Sequence, residues 1–515
     1  MNNEIELVQN LLAGLSNQNN DERKKSENQL VELIKQITLG LALCLSNILN
    51  KPDSNNINLT YCAVFLRKLL KTKDSETINP IWKNGTNEIK ESIKSNVLNA
   101  LVNCQDKSLK KKIADVVSAL CESIYNNEET WDNAYNFVAK GFQTELNDEN
   151  LLNIETAVYL LSKLFRYNQK ELLKGVDVLI NSFNNFFKNG NILIKTNSVE
   201  AICEILTNYS DKKLTKKFKV FIFEILSTIL YCLNNNDIDN LKISLFSLSE
   251  LAQIQPGMLK IYFSDIFILV GKIVEKNSLD EENLRSVAFE ILFSIIEKYP
   301  KLISGDEEKL SNLITGIFKY GMEFENNIDE DWLTPKSASL EEENFIPEDK
   351  LDEALSLIDR LIISVKPKVA LKLVSNNILE LLKHSNENWK YKYMGYISIG
   401  KINEHVDELS QLEQIFNQIL TDINNENPKI RYSCLFCIAQ FSDSYKEEFA
   451  NSYYKSVIPA ILNLENNETS LRVKLQGYDS LQSFIEFCKE EQISPYIQNI
   501  LDSLFFKISG QFSPT

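Results

Sequence analysis

The sequence predicts an all-α protein built from repeated helical hairpins, and three observations support this class. Apolar residues recur with helical spacing, and Gly and Pro are scarce, at 15 and 11 of 515 residues. The third observation is an internal repeat, in which Asn388–Ile402 can be laid over Asn427–Phe441 at an offset of 39 residues. Arg472 then lies 41 residues after Arg431, near the start of another apolar helix. This period is typical of HEAT-type helical hairpins.

The second copy of the repeat carries one apolar stripe, with residues at i, i+4, i+7, i+8 and i+11. They are Ile430, Cys434, Cys437, Ile438 and Phe441. Both cysteines of this C-x-x-C pair therefore lie on the buried face of a helix, and no second cysteine pair follows it. We interpret the pair as core packing rather than a zinc or redox site.

The same pattern predicts hairpins along the whole chain. The first three hairpins are expected to consist of six helices, at Ile5–Leu15, Asp21–Ile34 with Asp21 as the N-cap, Ile37–Leu49, Ile57–Lys71, Asn84–Leu101 and Ser108–Ile124. We call the two helices of a hairpin its first and second helix. Further second helices are expected to start near Asn153, Ile194, Asp239 and Glu282. We expect about eleven hairpins up to Cys488 and then one helix at Ile493–Ile508. A solenoid that stops after half a hairpin indicates a fragment of a longer one.

A basic residue recurs near the start of the second helices. The set consists of Lys112, Lys195, Lys242, Arg285, Lys392, Arg431 and Arg472. We interpret it as a ladder of ion pairs to acidic residues of the neighbouring repeat, in preference to direct contacts with a ligand. In the same way, Trp389 is interpreted as a residue packed between hairpins rather than an exposed platform for a ligand.

The regular pattern is interrupted once, at Glu323–Asp349. This segment has ten acidic residues and one basic residue, Lys336, with no helical period across its centre. It is too long for the turn between paired helices, where roughly 2–8 residues suffice. Its acidic residues cluster around Trp332, which leaves two readings open, a solvated loop or a binding element. The clustered residues are Asp329, Glu330, Asp331, Glu341, Glu342 and Glu343.

Composition excludes several classes of function. The formal net charge of −16 disfavours a nucleic-acid binder and favours basic partners. The only two histidines, His384 and His405, have no metal-ligand spacing, and no phosphate-binding glycine motif occurs. The sequence lacks a signal peptide and a membrane span, so the nine cysteines are expected to be reduced. We therefore expect a binding protein without catalysis, metal or cofactor.

Several motifs resemble the importin-β family. Leu59–Lys71 looks like the second hairpin of that family's amino-terminal domain, and Glu27–Ile34 is similar to the first. Further segments resemble the importin beta-3 branch, namely Asp329–Trp332, Leu357–Leu361, Asn388–Lys392 and Asn427–Tyr432. The resemblance runs in order along nearly the whole chain and corresponds to the amino-terminal half of such a receptor.

The resemblance implies a right-handed superhelix of HEAT hairpins, with second helices on the concave face. It implies that residues 1–165 bind RanGTP and that Arg67 and Lys68 contact it. The acidic insertion 323–349 would provide a further contact with Ran. Residues 166–322 would bind FG-nucleoporins, and residues 350–515 would bind basic cargo. The cargo-contact candidates are Asp359, matched by motif, and Glu404, Asp443 and Glu486, placed by helix position. Lys401 falls near where relatives offer an acidic side chain.

The expected function is that of a nuclear import receptor, monomeric and shuttling between cytoplasm and nucleus. RanGTP and cargo would share one flexible surface, so that each lowers the affinity for the other. An exportin, in which RanGTP strengthens cargo binding, is an alternative within the same fold. A HEAT-repeat scaffold subunit unrelated to Ran is an alternative from another class.

Overall fold

The computed structural model describes residues 2–15, 18–36, 38–51, 56–71, 82, 85–209, 211–325, 327–334, 346 and 348–502. Within these residues the chain is 82% helical and contains no strand, which confirms the predicted all-α class. Across the same residues, no helix combines the length and the apolar character needed to cross a membrane. The chain divides into two compact units, residues 1–291 and residues 292–515.

The first unit consists of six successive helical hairpins and the helices that follow them. The hairpins are α1 (Asn2–Gly14) with α2 (Asn20–Gln36), α3 (Thr38–Leu49) with α4 (Asn56–Leu70), α5 (Asn87–Asn103) with α6 (Lys107–Tyr125), α7 (Asp132–Gln143) with α8 (Leu151–Leu164), α10 (Val176–Asn189) with α11 (Ile192–Asn208), and α13 (Ile222–Asn234) with α14 (Ile238–Ile254). Between and after them lie α9 (Gln169–Leu172), α12 (Lys212–Lys219), α15 (Pro256–Leu259), the 3-10 turn Lys260–Tyr262, α16 (Phe263–Val274) and the 3-10 turn Asn277–Glu282.

The second unit begins within α17 (Leu284–Lys298) and contains four further hairpins. Its helices are α18 (Glu307–Gly321), α19 (Glu330–Leu333), α20 (Asp349–Ser364), α21 (Pro367–Lys383), α22 (Trp389–Ile402), α23 (Glu413–Asp422), α24 (Pro428–Asn467), α25 (Leu471–Glu486) and α26 (Glu490–Ile493). Short 3-10 turns occupy Pro300–Leu302, Asn403–His405, Leu409–Leu412 and Ser494–Tyr496. Of the helix expected at Ile493–Ile508, residues 497–502 are helical and a 3-10 turn occupies Ser494–Tyr496; residues beyond 502 lie outside the described part.

Second helices form their own layer in each unit, because they pack against each other as well as against their hairpin partners. In the first unit α4, α6, α8, α11 and α14 contact one another in that order. A second helix is therefore covered on several sides, and α11 buries even Thr196, Asn197 and Ser198. The amide of Asn197 is satisfied there by the backbone oxygen of Glu155 on α8, at 3.2 Å. Side chains of this layer are consequently held by neighbouring repeats.

Asparagine and aspartate begin many of these helices. The side chain of Asp106 accepts a hydrogen bond from the backbone N–H of Leu109 at 2.7 Å, and Asn191 does the same for Ile194 at 2.9 Å. Such N-caps stabilise a helix by typically about 1 kcal/mol. The predicted cap at Asp21 is wrong by two residues, because Asn19 accepts from the N–H of Asp21 at 2.9 Å.

The range α24 contains two helices that meet at a bend at Lys446. The part before the bend is the second helix of one hairpin, and the part after it is the first helix of the next. The backbone of Lys446 has φ 48° and ψ −126°, close to a turn position that favours glycine. A non-glycine residue in such a region is strained by about 1–3 kcal/mol. We expect Lys446→Gly to raise the free energy of unfolding of the second unit by about 1 kcal/mol. Lys446→Val should lower it, because a β-branched side chain tolerates this conformation poorly.

Thermal unfolding followed by circular dichroism measures both variants against the unchanged chain. If Lys446→Gly lowers the melting temperature as much as Lys446→Val does, the strain assigned to this turn is wrong.

Candidate binding surfaces

Two members of the predicted ladder, Lys392 and Arg431, pair with carboxylates of the neighbouring repeat. Arg431 makes two parallel bonds to Glu468, with Nε 2.6 Å from Oε2 and Nη2 2.8 Å from Oε1. Lys392 lies 3.0 Å from the carboxylate of Asp422. Such fork-shaped Arg–carboxylate pairs fix geometry as well as supply energy. For these two cations the interpretation as structural pairs is confirmed.

The ladder departs from the prediction in the third repeat. There the buried cation is Lys110, two residues before the predicted Lys112, and it is 1% exposed. Its Nζ donates to the side-chain oxygen of Asn153 at 2.7 Å and to the backbone oxygen of Cys104 at 3.0 Å. Burial lowers the pKa of Lys110. Two polar oxygens, rather than a carboxylate, therefore satisfy this ammonium group.

The two predicted Ran-binding residues lie at the end of α4. Arg67 Nη1 is 3.3 Å from Asp115 Oδ2, and the other oxygen of Asp115 accepts from the hydroxyl of Tyr159 at 2.5 Å. Burial raises the pKa of Tyr159, and the charge of Asp115 adds to the rise. Arg67 keeps 48% of its side chain exposed despite this pair, and Lys68 is exposed. Both cations can therefore meet an acidic partner.

The acidic insertion is packed against other helices of the second unit. Asp329 caps α19 by accepting from the N–H of Trp332 at 2.7 Å. Trp332 is 7% exposed, and its ring centroid lies 5.9 Å from that of Tyr432 on α24. Arg472 Nε donates to the backbone oxygen of Trp332 at 2.6 Å, and Ser470 donates to that of Leu333 at 3.2 Å. The insertion thus rests on α24 and on the start of α25.

A second anchor for the insertion is a buried cation on α24. Lys429 Nζ lies 2.6 Å from Glu348 Oε1, and the two side chains are 6% and 5% exposed. Four aromatic rings surround the ammonium, with centroids 5.2 to 6.0 Å from Nζ. We call this group the Lys429 cage; its members are Lys429, Glu348, Phe324, Trp332, Trp389 and Tyr393.

The cage binds three parts of the insertion to two helices. Phe324 comes from its beginning, Trp332 from its middle and Glu348 from its end, while Trp389 and Tyr393 belong to α22. The hydroxyl of Tyr393 donates to the carboxylate of Glu348, and burial raises the pKa of Tyr393 well above its usual value. The prediction that Trp389 is a packed residue is confirmed, because its ring lies 6.0 Å from that of Phe324.

Of the six acidic residues predicted to form the binding surface of the insertion, three are exposed in the described part. Glu330 and Asp331 are exposed on α19, beside the buried Trp332. Asp329 is also exposed but is engaged as the cap of α19. Glu341, Glu342 and Glu343 lie outside the described residues.

Two of the four predicted cargo contacts lie together. Asp359 Oδ1 on α20 is 2.7 Å from His405 Nε2, and Glu404 Oε1 is 3.7 Å from the same nitrogen. One ligand atom from each of these three residues lies within 4.8 Å of the others, an arrangement that could also hold a metal ion. Asp443 on α24 and Glu486 on α25 are exposed. Sequence reasoning missed His405, although it adjoins Glu404.

The remaining candidates are structural. Cys434 and Cys437 are fully buried, and burial raises the pKa of both thiols. The thiol of Cys437 lies 2.9 Å from the backbone oxygen of Tyr396 on the preceding second helix. The interpretation of this pair as core packing is confirmed. Lys401 lies with its Nζ 5.9 Å from the ring centroid of Phe436.

The described residues form a stack of helical hairpins, with ion pairs across repeat boundaries and an acidic insertion between α18 and α20. Residues 105–269 match a family model described as "IPO5-like, TPR repeats". Importin subunit beta-3 of Saccharomyces cerevisiae (strain ATCC 204508 / S288c) is 19% identical over 455 residues, which are 86% of this chain and 40% of that protein. The chain spans less than half the length of this relative.

Two solved structures show the same fold. The crystal structure of Kap121p bound to RanGTP matches with a TM-score of 0.70 and 16% identity, over 98% of this chain and 47% of that chain. Kap121p bound to Nup53p matches with a TM-score of 0.69 and 16% identity over the same shares. At this identity the likeness establishes the fold.

The Lys429 cage predicts a large loss of stability when its charge is removed. Leaving a buried carboxylate without its partner costs about 3–5 kcal/mol, so Lys429→Ala should lower the unfolding free energy of the second unit by that amount. The double variant Lys429→Met, Glu348→Gln should lose less, because no buried charge remains unpaired.

Denaturant unfolding measures these losses, and Lys455→Ala on the exposed side of α24 is the matched control. Surface substitutions of this kind usually change stability by about 0.5 kcal/mol or less. If Lys429→Ala behaves like Lys455→Ala, the cage does not stabilise the second unit.

Proposed function

We propose that this chain is the amino-terminal part of a nuclear import receptor that carries basic proteins and releases them when RanGTP binds. The observation that carries the proposal is the acidic insertion between α18 and α20, which Trp332 and the Lys429 cage hold against α22, α24 and α25. Glu330 and Asp331 are exposed on α19, and the anchored helix fixes the positions of their carboxylates. Fixed carboxylates attract basic partners without an ordering cost at each binding event.

The proposed partners follow from the family and from the surfaces described. Kap121p, whose fold this chain shares, has been solved with RanGTP and with Nup53p. In this chain we propose two surfaces for Ran. Arg67 and Lys68 on α4 form the first, and the insertion 323–349 forms the second. The functional divisions at residues 165, 322 and 349 stay predictions.

Basic cargo is proposed to bind around Asp359 and Glu404, with Asp443 and Glu486 as further contacts. The net charge of −16 supports a basic ligand in general. A cargo cation that reaches Asp359 competes with His405, whose Nε2 already lies 2.7 Å from it. Binding at this place is therefore an exchange of partners for Asp359.

Nucleoporins with Phe-Gly repeats are proposed to bind the first helices within residues 166–322. Two adjacent first helices of the first unit, α13 and α16, expose Phe223 and Ile268 by 59% and 57%. Val220 and Ile261, in the segments leading into these helices, are 62% and 71% exposed. Exposed apolar side chains gathered in this way are typical of surfaces that bind other proteins.

A titration with a labelled lysine-rich cargo peptide tests the proposal on the full 515-residue chain. RanGTP should raise the apparent Kd of the peptide, and RanGDP should leave it unchanged, because linked sites lower each other's affinity by the same factor. A lower Kd with RanGTP would indicate an exportin. No response to either form of Ran would indicate a scaffold and contradict the proposal.

Paired variants separate the two surfaces. Each exposed ion pair is worth ~0–1 kcal/mol, so the double variant Asp359→Asn, Glu404→Gln should raise the Kd of the cargo peptide several-fold at about 50 mM salt. The double variant Arg67→Glu, Lys68→Glu should weaken the binding of RanGTP and leave the Kd of the cargo peptide unchanged. A variant pair that alters the wrong partner would overturn the assignment of that surface.

A further inference from the structure

Two neighbouring helices of the second unit bring three possible metal ligands together. Asp359 lies on α20, and Glu404 and His405 lie in the 3-10 turn Asn403–His405, which follows α22. The helices α20 and α22 pack against each other. One imidazole and two carboxylates therefore meet at this place, although 46 residues of sequence separate His405 from Asp359.

Both carboxylates approach the same nitrogen of the His405 ring. Asp359 Oδ1 is 2.7 Å from Nε2, Glu404 Oε1 is 3.7 Å from it, and the three atoms lie within 4.8 Å of one another. A tetrahedral zinc ion holds its nitrogen and oxygen ligands at about 2.0–2.2 Å, which sets these atoms about 3.4 Å apart. The observed separations bracket that spacing, and the exposed Glu404 side chain is free to adjust.

The other histidine of the chain shows an arrangement that does not suit one ion. Glu387 Oε1 lies 2.8 Å from Nδ1 of His384, and Glu380 Oε1 lies 3.3 Å from Nε2. The two ring nitrogens point away from each other, so an ion on one nitrogen is out of reach of the carboxylate on the other. At His405 a single nitrogen faces two carboxylates, and one proton on that nitrogen cannot be donated fully to both. A dication would satisfy all three groups at once.

The turn that carries Glu404 and His405 is held in place by the following repeat. The hydroxyl of Tyr445 lies 3.1 Å from the backbone oxygen of Asn403 and 3.1 Å from that of Val406. The side chain of Asn403 is buried beneath the same turn. Metal ligands bind tightly when surrounding contacts fix their positions in this way.

We propose that Asp359, Glu404 and His405 bind a zinc ion, with one coordination position left to water. An imidazole nitrogen among the ligands favours zinc over calcium and magnesium, which prefer oxygen alone. The site is open to ions from solvent, because the side chains of His405 and Asp359 are 20% and 38% exposed. A bound ion would link α20 to the turn after α22.

The same ion would also act on the proposed cargo surface. Asp359 and Glu404 are the two cargo candidates that lie together, so a zinc ion and a cargo cation would compete for them. This consequence rests on the proposed function, whereas the metal site itself does not require that function to be correct.

Calorimetric titration of Zn²⁺ into the full chain tests the site, after treatment with a chelator and in the presence of a reductant that lacks thiols. Loss of a group that only orients a metal ligand costs about 10–100-fold in affinity, so His405→Ala should weaken Zn²⁺ by about a hundredfold or more. Asp359→Asn should also weaken it. Circular dichroism checks that each variant remains folded.

The matched control is His384→Ala, which removes the other imidazole and should leave the affinity for Zn²⁺ unchanged. Absence of Zn²⁺ binding to the unchanged chain would overturn the site. Equal affinity in the unchanged chain and in His405→Ala would also overturn it, because the ion would then be held elsewhere.

A second measurement separates the metal site from the proposed function. Saturating Zn²⁺ should raise the Kd of the labelled lysine-rich cargo peptide several-fold for the unchanged chain and leave it unchanged for His405→Ala. If Zn²⁺ binds as expected but the Kd of the peptide does not change, the assignment of Asp359 and Glu404 to cargo is overturned. If the peptide does not bind at all, the proposed cargo binding is wrong, and the calorimetric titration still decides the metal site.

Discussion

A buried ammonium group must have a partner, and this constraint determines how the acidic insertion lies. Removing a charged group from water costs several kcal/mol, and an ion pair offsets that cost only with good geometry and further polar contacts. Lys429 meets the requirement with Glu348 at 2.6 Å and with four aromatic rings. Because Glu348 and two of those rings belong to the insertion, the chain has to return to α24 before α20 can begin. A segment with the composition of a free loop is thereby fixed to the solenoid.

The same chemistry recurs along the second-helix layer on a smaller scale. Arg431 reaches Glu468, Lys392 reaches Asp422 and Arg67 reaches Asp115, each across a repeat boundary. These pairs hold charged groups in place on rigid helices, which is what a surface needs in order to bind charged partners with little ordering cost.

Periodicity predicted the helices well, because it reports contacts that lie within one element. The second helices expected near Asn153 and Ile194 begin at Leu151 and Ile192. The ladder pair of Arg431 was predictable because the repeat places a basic residue at each interface. Contacts between distant segments leave no periodic signal, and Arg472 meets Trp332 across 140 residues of sequence. Lys429 could not be distinguished from an ordinary lysine in the first turn of a helix, and His405 showed no ligand spacing to Asp359.

Amide hydrogen exchange at Leu333 and Thr334 tests the anchoring of the insertion most directly. Their N–H groups bond to Asp329 and Glu330 within α19, and an isolated helix of one turn would not persist in water. If Trp332 and the Lys429 cage hold this turn, both amides exchange far more slowly than in a free peptide of the same sequence, and Lys429→Ala abolishes the protection. Exchange of both amides at the free-peptide rate in the unchanged chain would contradict the account.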